Sequence, residues 1–122
     1  MVFPEPNLEP GESVNCSWLA NRTQNNWRAV GGKLFLTSAR LIFQPHQLDA
    51  KLGGNVWETP LSSINRVGRE PRRLSLLELF SGGLRTRLKI ETSDKFSERF
   101  VVNQISEIER IITDAVTRTA KL

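Results

Sequence analysis

One cysteine, Cys16, and one histidine, His46, stand among 122 residues, and their scarcity removes several classes of chemistry. A single thiol forms no intrachain disulfide, which fits a reducing compartment. A lone histidine with no second histidine or cysteine at ligand spacing leaves no zinc site and no nucleophile–base pair. The pairs Gly31-Gly32 and Gly53-Gly54 lack the spacing that cradles phosphate, and Glu91 and Asp94 straddle a turn, with no reason to act as an acid–base couple. No catalytic residue, metal ligand or cofactor is therefore expected, and the chain reads as a non-enzyme.

Long apolar runs are missing as well. None approaches the roughly 18 residues that a bilayer-spanning helix needs. The first twenty residues lack a cationic start followed by an apolar segment, so the two glycosylation-like triplets, at Asn15 and Asn21, carry no weight. The expectation is a cytoplasmic protein whose membrane contact is peripheral.

What the chain does contain is a core. Hydrophobic residues make up 39% and charged residues 25%, with three Trp and six Phe, a balance that suits one globular domain. Three prolines in Met1 to Pro10 disfavour regular structure there, so residues 1–10 read as a flexible arm and 11–122 as a single domain. The most informative run is Gly31 to Pro45: Leu34, Leu36, Leu41 and Phe43 keep period two on either side of Thr37-Ser38-Ala39-Arg40, which predicts an antiparallel hairpin with one buried face.

Other strands follow by the same alternation. Glu12 to Leu19 is a first strand, Asn21 to Asn26 a polar loop, and Trp27 to Thr37 a second strand bent at Gly31-Gly32. After the third strand, Ala39 to Gln44, Pro45 to Asn55 reads as a long loop, and Val56 to Leu61 and Ile64 to Arg69 as short strands. Leu84, Thr86, Leu88 and Ile90 oppose Arg85, Arg87, Lys89 and Glu91, so one face of that strand is core and the other mostly cationic. A turn at Ser93-Asp94-Lys95 leads to a last strand from Phe96 to Val102. From Gln104 the period changes: Ile105, Ile108, Ile112 and Val116 mark an amphipathic helix, with Ser106 and Glu109 spaced as a capping box.

About seven strands and one helix predict a mainly β fold, an antiparallel sandwich or barrel capped by a C-terminal helix. The segments Pro10-Gly11-Glu12, Gly32 to Thr37, Arg40 to Phe43, Trp57 to Leu61 with Ile64, and Leu88 to Thr92 resemble the GRAM domain family, over about residues 8 to 115. The resemblance implies the pleckstrin-homology-like fold, and a module that binds phosphoinositide or other anionic lipid, or a protein. Where tight inositol-phosphate binders of that superfold carry a Lys and a Lys/Arg-x-Arg motif, this chain has only Arg22, Arg28 and Lys33, so the attraction expected is driven by charge.

Charge distribution points the same way. Between Arg66 and Lys89 seven basic residues face two acidic ones, a local excess of five, while the whole chain is only +4. Such a patch attracts anions better than a dispersed excess. Lys33, Arg72, Arg73, Arg85, Arg87 and Lys89 are the candidate lipid or anion contacts. In Arg72 to Gly83 the apolar Leu76, Leu77 and Phe80 are candidates for membrane insertion or for a partner contact, with burial in the core as the competing reading. The reading is a non-catalytic binding module for anionic lipid headgroups; the alternative is a protein-interaction or self-association module. Nucleic acid ranks below both, because Trp18, Trp27 and Trp57 fall in strand patterns where packing claims them.

Overall fold

The structure is a computed structural model that describes residues 4–24, 28–70 and 86–121. Its strands are β1 (Val14–Gln24), β2 (Arg28–Thr37), β3 (Arg40–Pro45), β4 (Trp57–Pro60), β5 (Ile64–Glu70), β6 (Arg87–Thr92) and β7 (Ser97–Val102). Among the described residues two helices join them, α1 (Gln47–Lys51) and α2 (Ile105–Ala120), with a 3-10 turn at Leu61–Ser63. All strand pairings are antiparallel, in one sheet of order β4-β3-β2-β1-β7-β6-β5. This is the mainly β fold with a C-terminal helix that the sequence predicts.

The sheet curls around a shared core. Phe100 on β7 lies 5.8 Å, ring centre to ring centre, from Phe43 on β3 and 5.5 Å from Trp57 on β4. Those strands are well separated in sheet order, so their rings meet only because the sheet wraps over itself. Val30, Leu34, Leu36, Leu41, Leu88 and Ile90 complete the wall, and α2 adds Ile108, Ile112 and Ala115. Burying each large side chain contributes about 1.5–3 kcal/mol. Trp18 and Trp57 pack against this core, while Trp27 lies outside the described residues.

Several expectations change. Phe35 and Ile42, opposite each other in register, are buried although they alternate with the core-facing Leu34, Leu36, Leu41 and Phe43, so the hairpin is covered on both faces. The expected loop from Asn21 is strand as far as Gln24, because polar side chains there find partners across the fold: Arg22 donates to Glu98 at 2.9 and 3.1 Å, and Gln24 exchanges bonds with Gly53 and Asn55. Gly31 and Gly32 continue the β1–β2 register without a break. Gly32 serves close approach instead, since a Cβ there would stand 2.2 Å from the Gln44 carbonyl oxygen.

Inside the long 45–55 connection sits α1, capped by the His46 imidazole, whose Nδ1 accepts from the Leu48 amide at 3.1 Å. Phe96 belongs to the turn before β7 and is 71% exposed. The capping box does not form. Gln104, in the left-handed region, precedes α2 without a side-chain cap, and Ser106 and Glu109 both bind Arg69 of β5. Arg40 also donates to the Asn7 carbonyl at 2.8 Å. Among the described residues no helix is long and apolar enough to cross a membrane.

Candidate anion-binding face

Three strands display the charged side chains. Register places Arg66 opposite Glu91, Gly68 opposite Lys89 and Glu70 opposite Arg87, and on the next strand Lys89 opposite Arg99. Val67, Leu88, Ile90 and Phe100 alternate with them and turn to the core. Period two therefore sends Arg66, Glu70, Arg87, Lys89, Glu91 and Arg99 to the outer face together.

The centre of this face is Glu70. Its carboxylate accepts from Arg99 through Nε and, at 3.3 Å, through Nη2; it accepts from Arg87 at 3.2 Å and lies 3.9 Å from the Lys89 ammonium. Arg99 foremost holds the Glu70 carboxyl below the usual carboxylate range, against the opposing effect of burial, and Glu70 in turn raises the Arg99 guanidinium. Lys89 is shared with Glu91 at 3.4 Å. Arg66 is exposed and has no ion-pair partner among the described residues. Among the described residues four cations face two carboxylates, an excess of two positive charges. Beside Lys89, bare Gly68 leaves a shallow cleft of about 90 Å³ lined by Arg66, Gly68, Arg69, Lys89 and Glu91.

Of the residues proposed from sequence, Arg87 and Lys89 meet here. Lys33 stands apart on β2, between Leu19 and Gln44, two strands away from β7. Arg72, Arg73, Arg85, Leu76, Leu77 and Phe80 lie outside the described residues. From the sequence, reversing Arg85 and Arg87 together to Glu touches no expected core position and is expected to leave stability nearly intact. The structure corrects this, because a carboxylate at position 87 would face Glu70 at ion-pair distance. Glu70, Arg66 and Arg99 were missed as site residues; strand register was the signal that joins them.

The motif residues that carry the family resemblance occupy another place. Glu12 accepts from Arg40 at 2.6 and 2.9 Å, from the Thr37 hydroxyl at 2.5 Å and from the Glu9 amide at 2.9 Å. Thr37 Oγ1 accepts from the Ala39 and Arg40 amides at 3.1 and 2.8 Å, which shapes the hairpin corner. Arg40 also reaches Glu58 at 3.1 Å. Hydrogen bonds from Arg40 pull the Glu12 carboxyl down to about 2 despite burial. These residues staple the first strand to the hairpin and to β4.

A third region carries exposed apolar side chains. Leu48 and Leu52 of the α1 connection are exposed, as is Val56, which lines a polar cleft with Ser97, next to Phe96. Arg22 and Arg28 are engaged with Glu98 and with the Leu52 carbonyl.

No family model and no curated protein matches the chain. Among solved structures it is similar to the C-terminal domain of an unknown protein from Leishmania infantum, at 14% identity over 88% of this chain and 87% of that one, with a TM-score of 0.66. A likeness at that identity shows the fold, and the fold is the one described above.

Proposed function

We propose that the domain is a non-catalytic module that binds anionic membrane lipid, a phosphoinositide or similar, peripherally through the outer face of β5–β7. The observation that carries this reading is the unbalanced charge of one face among the described residues: Arg66, Arg87, Lys89 and Arg99 against Glu70 and Glu91. Each basic residue near an anionic bilayer adds about 1 kcal/mol, so the net excess supports reversible attachment. A cytoplasmic location accords with that role.

The test is co-sedimentation with neutral and with anionic vesicles at low and physiological salt, for the wild type and for Arg66→Gln/Lys89→Gln. Neither substitution removes a core residue, so the variant should stay folded. Pelleting on anionic vesicles alone, weakened by salt and by the double substitution, supports the reading. No pelleting on any vesicle overturns it. The second reading, a protein-interaction or self-association module, is favoured by exposed Leu48, Leu52, Val56 and Phe96. Apolar association of that kind should persist as salt rises and should appear as a larger species in sedimentation velocity.

A further inference from the structure

The outer face of β5–β7 already holds an anion, and it is the protein's own. This inference rests on the lipid reading above and concerns what that face selects. Glu70 ends β5 and lies where Arg87 and Arg99 converge, with Lys89 at the long limit of an ion pair, 3.9 Å away. A carboxylate in that position fills the place where the oxygens of an external anion would be bound. Its side chain is 28% exposed, so it is not locked in by packing.

We propose that Glu70 is a built-in competitor: it occupies the anion position between Arg87, Lys89 and Arg99, and yields only to a ligand of higher charge, a phosphate monoester dianion. Two features support this. Coulomb attraction grows with the charge of the ligand, and among the described residues Arg87, Lys89 and Arg99 outnumber Glu70 and Glu91, so the face draws a dianion more strongly than a monoanion. A tethered carboxylate also competes at the high effective concentration of an intramolecular group, which excludes weak monoanionic ligands.

The second feature is the cleft over Gly68. Its volume of about 90 Å³ has Arg66 on one side and Lys89 on the other. That is room for several water molecules, and so for a phosphate group in their place. Lys89 lies 3.4 Å from Glu91 and 3.9 Å from Glu70, held by neither at close range, so its ammonium can turn toward an anion seated above Gly68. Among the described residues Arg66 has no carboxylate to release. A phosphate monoester would thus enter beside Glu70 on Arg66 and Lys89, then draw Arg87 and Arg99 as Glu70 turns outward.

Charge alone predicts that removing any carboxylate strengthens binding to every anionic surface. The competitor role predicts more: discrimination between headgroups depends on Glu70. The experiment compares phosphatidylcholine vesicles carrying a phosphatidylinositol monophosphate with vesicles carrying phosphatidylserine at matched surface charge. Wild-type protein should prefer the monophosphate. Glu70→Gln keeps an amide oxygen to accept from Arg99 and removes one negative charge; association with phosphatidylserine vesicles should rise about fivefold, the effect of one surface charge, and the preference should shrink. Glu107→Gln removes the same charge from an exposed position on α2, away from that face, and should leave the preference in place. A Glu70→Gln protein whose preference equals that of the wild type overturns the competitor role while leaving lipid binding intact.

Gly68→Val provides a test that changes no charge. A Cβ at position 68 meets only Arg66 Nε, at 3.7 Å, an ordinary contact, so the strand should fold normally. The added side chain should fill the cleft and lower association with monophosphate vesicles, with no change on phosphatidylserine; equal association on both overturns the cleft as the phosphate seat. Soluble inositol monophosphate distinguishes the source of the ligand. Release of bound protein by it means that the phosphate monoester itself is recognised, whereas no release at any concentration means that bilayer charge is all the face reads, which also overturns the proposal. If neither wild type nor Glu70→Gln pellets on any vesicle, the lipid reading falls together with this one.

Discussion

Glu12 and Glu70 are both carboxylates set among arginines, yet they do opposite things. Glu12 is only 3% exposed, and its two oxygens take two bonds from Arg40, one from Thr37 and one from the Glu9 amide. Arg40 spends its remaining bonds on Glu58 and on the Asn7 carbonyl. Hydrogen-bonding capacity is filled there, and one guanidinium held between two carboxylates leaves no cation to offer an anion. Glu70 is more exposed and accepts from Arg87 and Arg99 with Lys89 nearby, and Lys89 is shared with Glu91. Filled hydrogen bonds at low exposure hold a fold together; an excess of positive charge at the surface is available for recognition.

The sharpest way to break this comparison is to remove the arginine from the closed site. Arg40→Ala leaves Glu12 almost buried without its cation and frees the hairpin corner from β4. Breaking such a pair costs about 3 kcal/mol, which lowers the melting temperature of a domain this size by roughly 10 °C. Vesicle association of the folded protein should not change. A melting temperature within a degree or two of the wild type would show that the corner does not hold the first strand.

Acid provides the next test. A carboxyl whose folded-state pKa is depressed contributes stability that is present above its ordinary pKa and lost as pH falls through the folded value. Glu12 is lowered from 4.5 to about 2, so its share should be complete above pH 5 and should vanish between about pH 4.5 and 2. Allowing for solvent at the rim of the corner, that share is about 2 kcal/mol. Chemical denaturation across this window should show a slope that Glu12→Gln removes. Glu70→Gln should remove less of it, because its carboxylate is more exposed. The reverse order would mean that the outer face, and not the corner, is the structural one.

The same contrast explains what was legible in the sequence. Period two exposed the hairpin, the core faces of β6 and β7, and the cationic side of β6, because alternation is a local property. Five residues are too few to display a helical period, so α1 was hidden in a loop. Asn21 to Gln24 read as loop because their composition is polar, although Arg22 bonds to Glu98, 76 positions along the chain. For the candidate face, Arg87 and Lys89 could be placed on one side of a strand from their own neighbours. Glu70, which neutralises part of that side, reaches Arg99 from 29 positions away, and only strand register brings them together. The capping box failed for a related reason: Ser106 and Glu109 have the right spacing, but a long-range arginine claims both.

That arginine supplies the smallest effect. Arg69 donates to Glu109 at 2.5 Å and to the Ser106 hydroxyl at 2.9 Å, joining β5 to the first turn of α2, with side chains 45% and 28% exposed. Exposed ion pairs of this sort contribute about 0.5 kcal/mol and are screened by salt. The apolar stripe of Ile108, Ile112 and Ala115 keeps the helix docked without it. Arg69→Ala should therefore lower the melting temperature by roughly 2 °C at low salt and by less at high salt. Ranked by exposure, the Glu12, Glu70 and Glu109 networks then form a series in which structural cost falls as solvent enters. A loss at Arg69 comparable to that at Arg40 would break the series and make the β5–α2 pair, despite its exposure, a second staple of the fold.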